Sequence, residues 1–232
     1  MEAIILAGGM GTRLKDVIQN IAKPMVPVGD KPFLYYVFNW ISRYFVEKVI
    51  LSVGYKAESV IDFFGNLVLD IPVEYVIEEK PLGTGGAIKS AAKEAEGKDI
   101  LVLNGDTLFT VDLDKFFEFH ISTESLFSIA LKKMHFFDRY GTVDMEGNTI
   151  KKFNEIKYCD DGLINGGIYL INKQFIDSWE MPEVFSLEKD ILEKTAGKSF
   201  LKGMIFNDPF LDIGIPEDYS KAEIFVKKYF QL

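Results

Sequence analysis

Ala3-Ile4-Ile5-Leu6-Ala7-Gly8-Gly9-Met10-Gly11-Thr12-Arg13-Leu14 is an apolar β-run that breaks into glycines, and the rest of the chain is read outward from it. A strand that stops at glycines delivers bare backbone N–H groups to one edge of a sheet. Arg13, and Lys23 in Lys23-Pro24-Met25, add cations, so the combination reads as a phosphate site. A dinucleotide fingerprint would need a third glycine where Leu14 stands, and a P-loop would need Gly-Lys-Ser/Thr. A looser glycine cradle remains, with an arginine able to hold phosphate oxygens bidentately. The glycines alone are equally compatible with a tight turn at a strand end. Lys23 precedes a proline, which keeps its backbone extended and lets it reach back over the loop; in isolation it reads as a solvated surface lysine.

Downstream, Leu34, Val37, Phe38, Ile41 and Phe45 recur at helical spacing over Phe33–Tyr44, and the β-branched run Val46–Val53 follows, completing a βαβ unit. A helix around Glu58–Phe64, a strand at Val73–Ile77, an Ala- and Lys-rich helix over Gly83–Ala95 and the wholly apolar Ile100–Leu103 continue the alternation. Continuous apolar runs between helices are strands covered on both faces. The pattern predicts an α/β fold with a Rossmann-like, doubly wound, mostly parallel mixed sheet whose ligands gather at the carboxyl ends of its strands. The second half reads differently. Ser125–Lys133, Thr142–Met145, the turn Glu146-Gly147-Asn148, Thr149–Phe153 and Gly167–Ile171 predict an antiparallel β-region over the ligand edge. Helices near Leu187–Thr195 and Glu217–Tyr229 bracket a strand around Phe200–Phe206, and Phe116, Phe117 and Phe119 are assigned to core packing.

With 232 residues, 48% of them hydrophobic, and no repeat or linker, one domain with one core is expected. A net charge of -9 and a sequence pI near 4.9 leave no chain-wide basic field for nucleic acid or an anionic membrane. The strand pattern starts without a basic leader and no apolar run approaches a membrane span, so a cytoplasmic location is expected. One cysteine, Cys159, excludes an intrachain disulfide framework, and with only His120 and His135 beside it any metal is expected to be a hard cation on carboxylates.

Two aspartates are placed for such an ion. Asp106 follows an apolar strand and a glycine, and Asp212 lies in Leu211-Asp212-Ile213-Gly214; each also fits an ordinary turn or cap. Pro81-Leu82-Gly83-Thr84-Gly85-Gly86 precedes a helix and either presents N–H groups to a base or ribose or simply caps that helix. Glu155 with Asn165-Gly166-Gly167 suits recognition of sugar hydroxyls, and equally the polar positions of a hairpin.

Taken together and in order, Ala3 to Leu14, Lys23-Pro24-Met25, Gly83-Thr84-Gly85-Gly86, Asn104-Gly105-Asp106 and Asp212-Ile213-Gly214 resemble the sugar-1-phosphate nucleotidyltransferases. Within that family, Asp138-Arg139-Tyr140-Gly141-Thr142-Val143 and Gly162 to Tyr169 look most like the D-glycero-α-D-manno-heptose 1-phosphate guanylyltransferases. The resemblance implies transfer of a nucleotide, GTP first among the candidates, to a sugar 1-phosphate with release of pyrophosphate, for surface-polysaccharide precursors. Mannose, glucose and N-acetylmuramate 1-phosphates with GTP, dTTP or UTP stand as alternatives, and so does a non-catalytic nucleotide-sugar-binding domain. It also implies that Arg13 and Lys23 are catalytic and that Asp106 and Asp212 hold Mg²⁺. Ala7, Gly8, Gly9, Gly11, Thr12, Gly83 and Thr84 would bind the nucleotide in a nucleotide-binding half (about 1–110), and Gly141, Glu155, Lys157, Asn165 and Gly166 the sugar phosphate in a sugar-phosphate-binding half (about 111–232). The expected partners are these substrates only, with the chain a monomer or small homo-oligomer. Relatives often carry Glu-Lys where this chain has Glu155-Ile156-Lys157, a proline near Lys15-Asp16-Val17, and a threonine at Ile215.

Overall fold

The computed structural model describes residues 1–9 and 21–230. The first half comprises β1 (Glu2–Leu6), the short β2 (Pro27–Val28) and β3 (Lys31–Pro32), α1 (Phe33–Ile41), β4 (Lys48–Val53), α2 (Ala57–Phe64), β5 (Leu67–Val68), β6 (Ile71–Ile77), α3 (Gly83–Ala91) and β7 (Asp99–Asn104). The second comprises β8 (Thr107–Phe109), α4 (Leu113–Ser122), β9 (Phe127–Phe137), β10 (Gly141–Glu146), β11 (Thr149–Ile156), β12 (Cys159–Asn172) and α5 (Lys173–Asp177). A π-helical segment, Leu187–Leu192, then runs into α6 (Glu193–Thr195), followed by β13 (Leu201–Phe206), β14 (Phe210–Asp212) and α7 (Pro216–Tyr229).

Among the described residues, ten strands form one sheet in the order β10-β11-β13-β9-β12-β7-β1-β4-β6-β5. Its centre, β7-β1-β4-β6, is parallel, as the apolar runs predict. Alternate side chains of these strands enter opposite cores: Ala3, Ile5, Leu101 and Leu103 meet α1 and α2 on one face. Ile4, Ile100 and Val102 meet α3 on the other. Helices on both faces are the reason no polar alternation is visible in β7, β1 and β4, whereas β6 alternates buried Ile71 and Val73 with exposed Pro72 and Glu74. β12 then joins β7 antiparallel and β9 joins β12 antiparallel, so the second half extends the same sheet. β10 and β11 form the expected hairpin, with Gly147 at φ +55° in its turn.

Four details depart from the sequence reading. Lys23, expected to be extended before Pro24, opens a 3₁₀ turn over Lys23–Met25, closed by the Met25 N–H donating to Ala22 O at 2.8 Å. The first helix ends at Ile41: Arg43 and Tyr44 donate to Trp40 and Ile41, three residues back, and this tighter turn carries Phe45 off the buried face to 76% exposure. A helix unforeseen at Leu113–Ser122 takes up the phenylalanines, burying Phe116 and half-burying Phe117 and Phe119. Its signal was Asp112, whose carboxylate caps the helix by accepting from the Lys115 N–H at 3.1 Å. Finally, β12 starts eight residues before Gly167, at Cys159, because it pairs with β9 from Phe137 back to Phe127.

His120 of α4 is buried between Ser128 Oγ at 2.8 Å and Asp99 Oδ1 at 3.4 Å. Burial holds its pKa below the ordinary 6.5. Below that pH the unfolded chain therefore binds a proton that the folded chain refuses, and the contribution of His120 to stability falls as pH drops. Thermal denaturation between pH 7 and about pH 5.5 is expected to show a smaller loss of Tm in His120→Gln than in the parent. Parallel Tm curves would remove His120 as the source.

Candidate active site

The carboxyl ends of β1, β4, β6 and β7 share one edge, and a cleft of about 290 Å³ opens there, lined by Gly8, Gly9, Lys23, Glu78, Gly83, Thr84, Asn104 and Asp106 among others. The backbone of β1 is clamped at this edge. Ala7, itself buried, donates its N–H to Ser52 O at 2.7 Å, and Gly105 donates to Leu6 O at 2.9 Å. A Cβ on Gly105 would lie 2.7 Å from the Leu6 carbonyl oxygen, so a glycine there lets the chain turn and aim Asp106 into the cleft.

Glu78 is a site residue that the sequence reading missed, although an acid one place beyond β6 was the available signal. It accepts from Ser52 Oγ at 2.8 Å and from the Leu82 N–H at 3.2 Å, which ties the Pro81–Gly83 loop to the sheet. The N–H groups of Gly85 and Gly86 donate to Phe185 O at 3.1 and 3.3 Å. This narrows one of the two readings of that segment: the N–H groups of these two glycines tie α3 to the second half of the chain, while Gly83 and Thr84 line the cleft. Thr84 is engaged similarly, donating to Glu188 Oε2 at 2.7 Å and accepting from the Leu187 N–H at 2.9 Å. Thr84→Val keeps the shape and leaves that N–H without its acceptor. A loss of about 1 kcal/mol in urea denaturation is expected, and an unchanged midpoint would show the contact to be dispensable.

Beside the cleft lies a second cavity of about 170 Å³, which shares Asn104 with it and is lined by Tyr140, Asn165, Gly166, Tyr169, Glu188 and Asp212 among others. Asp212 reaches it on a two-stranded ribbon. β14 pairs antiparallel with β8, setting Asp212 opposite Thr107, and the Ile213 N–H donates to Asp106 O at 3.1 Å. Two carboxylates distant in sequence thus become neighbours. Lys23 Nζ ion-pairs with Asp106 and lies 3.9 Å from Asp212 Oδ1, while the Tyr140 hydroxyl donates to Asp212 Oδ2 at 3.1 Å. Burial, and next the charge of Asp106, push the Asp212 carboxyl above its usual range, against the opposing pull of Lys23 and Tyr140. A carboxylate pair with this excess of negative charge suits a divalent cation. No cluster of three or more His, Cys, Asp or Glu is present among the described residues, so such an ion would complete its shell with substrate oxygens and water, as Mg²⁺ does.

Asn165 is held at both ends, donating to the Tyr169 hydroxyl at 2.9 Å and accepting from the Gly167 N–H at 3.0 Å. A Cβ on Gly166 would lie 2.7 Å from Ala130 O, so this close approach requires glycine. The structure therefore gathers Gly8, Gly9, Lys23, Gly83, Thr84, Asp106, Asn165, Gly166 and Asp212 around two adjoining cavities. Gly141 at the start of β10, exposed Glu155 on β11 and exposed Lys157 just beyond it line neither. Gly11, Thr12 and Arg13 lie outside the described residues. Glu188 had no sequence signal, because only the fold sets it against Thr84.

Residues 2–229 match the family model described as nucleotidyl transferase. The chain is 45% identical over 229 residues, 99% of its length and 100% of the relative's, to a D-glycero-alpha-D-manno-heptose 1-phosphate guanylyltransferase of Aneurinibacillus thermoaerophilus. It is 46% identical over 220 residues, 94% of its length and 97% of the relative's, to a protein of the same description from Campylobacter jejuni. The crystal structure of HddC from Yersinia pseudotuberculosis, also solved with GMP-PN, superposes with a TM-score of 0.87 at 39% identity, covering 97% of this chain and 98% of that one. On sequence and on fold alike, this chain belongs to the nucleotidyl transferase family.

Proposed function

We propose that the chain transfers a guanylyl group from GTP to D-glycero-α-D-manno-heptose 1-phosphate, releasing pyrophosphate. The observation that carries the reading is Lys23 set between Asp106 and Asp212 where the nucleotide cleft meets the second cavity. Two anionic substrates must meet there, and the site supplies what opposes their repulsion. The choice of base and sugar is supported by the guanylyltransferases that match nearly the whole chain and by the GMP-PN complex of HddC.

An oxygen of the sugar phosphate attacks the α-phosphorus, and the bond to the β-phosphate breaks. The nucleophile is already mostly dianionic at neutral pH, its second pKa being about 6, so no general base is required. That accords with the two histidines, one buried in α4 and the other exposed on β9. Lys23 would neutralise triphosphate charge, joined by Arg13 on the strength of the motif alone. Asp106 and Asp212 would hold Mg²⁺, which when bound offsets the charge developing on the departing pyrophosphate. Asn165 and Gly166 face the sugar, while Gly141, Glu155 and Lys157, on the arm of β10 and β11, are assigned to the sugar phosphate by motif alone. On this reading the enzyme works in the cytoplasm as a monomer or small homo-oligomer, making surface-polysaccharide precursors.

The test is pyrophosphate release across a matrix of nucleoside triphosphates and sugar 1-phosphates with Mg²⁺. The highest rate is expected for GTP with the heptose 1-phosphate. A different preferred pair would reassign the substrates, and silence across the whole matrix would leave only a binding domain.

A further inference from the structure

We infer that Tyr140 is the positioning residue that fixes Asp212 for the metal, an inference resting on the Asp106 and Asp212 site proposed above. The two oxygens of Asp212 have different surroundings. Oδ2 accepts the Tyr140 hydroxyl at 3.1 Å, while Oδ1 lies 3.9 Å from Lys23 Nζ on the cleft side. The carboxylate rests against Gly214, where a Cβ would lie 3.0 Å from Oδ1, and it also receives a bond from the Gly214 backbone. Without the tyrosine, a carboxylate on the three-residue β14 keeps, among the described residues, that backbone bond and the longer approach of Lys23 to set the angle of its plane. The hydroxyl occupies Oδ2 and leaves Oδ1 turned toward Lys23 and Asp106.

Tyr140 is itself held from several sides. With Phe210 and Asp212 it lines both the 170 Å³ cavity and a lateral one of about 370 Å³ next to α7. Phe210, on the same strand as Asp212, meets its ring edge-on at 6.2 Å, and Phe137 packs at 6.4 Å. The Arg139 guanidinium lies 5.3 Å from the ring centroid and pairs with Asp218 in the first turn of α7. A donor so enclosed presents its hydroxyl in one direction. Groups that orient a metal ligand from behind typically change metal affinity by about 10–100-fold when removed.

The experiment compares the parent with Tyr140→Phe, which keeps the ring and its packing and removes only the donor. Mn²⁺ binding is followed by electron paramagnetic resonance in the presence of guanosine (α,β-methylene)triphosphate, alongside the Mg²⁺ dependence of turnover. The variant is expected to bind Mn²⁺ about tenfold more weakly and to need correspondingly more Mg²⁺ for half-maximal rate. Mn²⁺ affinity within about twofold of the parent overturns the positioning role and leaves the metal site standing. A raised KM for the sugar 1-phosphate with unaltered Mn²⁺ affinity likewise overturns it, making the tyrosine a direct substrate contact. Absence of Mn²⁺ binding in the parent overturns the metal site and this inference together.

Discussion

Lys23→Met is expected to lower kcat by roughly 10³-fold while circular dichroism remains that of the parent. The side chain is 15% exposed, ion-paired with Asp106 and close to Asp212, in a cleft where water screens charge poorly. Methionine preserves the length of the stem and removes only the charge. Two consequences add. The triphosphate loses a cation that approaches without reorganising, and the two aspartates lose the group that separates them when no metal is present. If the lysine served only the aspartates, saturating Mg²⁺ would restore the rate. If it also meets the triphosphate, kcat stays low at any Mg²⁺ concentration, which is the expected result. Parental turnover in the variant would strike Lys23 from the machinery.

Asp212→Asn is expected to do two opposite things: reduce turnover by roughly 10²-fold or more, and raise the Tm of the metal-free protein. The second effect follows from the sign of the carboxyl's shift. Its pKa is raised in the folded state by burial and by Asp106, so the folded chain binds a proton more readily than the unfolded one. The contribution of Asp212 to stability is then greatest below the ordinary carboxyl pKa and is lost as pH rises through the folded value, leaving a penalty at neutral pH. Asparagine carries no such charge and can still accept the Tyr140 hydroxyl. The Tm gain over the parent should therefore be larger at pH 8 than near pH 4. A variant less stable than the parent at both pH values would mean that the Lys23 attraction outweighs burial and the repulsion from Asp106.

The parts of this molecule that announce themselves in the sequence are those whose cause is local. Apolar runs ending in glycine marked β1, β4 and β7, because burial on both faces leaves no other composition for them. Asp106 was legible for the same reason, standing just past such a run. The departures have causes that lie elsewhere in the chain. Phe45 leaves the helix period through a tightened final turn, and β12 gains its length from β9. Gly85 and Gly86 fit a nucleotide-facing loop until Phe185 arrives to take their N–H groups. Glu188 and Tyr140 acquire their roles only from what packs beside them, so their spacing carries no mark of it. The motif order, by contrast, made the family legible while saying little about where Glu155 and Lys157 would stand.

The short ribbon of β8 and β14 also bears on how the molecule comes into being. Contacts between distant segments are entropically costly and form late. A nascent chain that has emerged only through β13 already holds Lys23 and Asp106, yet it lacks Asp212. On the proposed function, reactivity would be withheld from every such partial chain and would arrive with the closure of three residue pairs between β8 and β14. Amide exchange in that ribbon would report, within one molecule, the moment at which a folded scaffold turns into a working one.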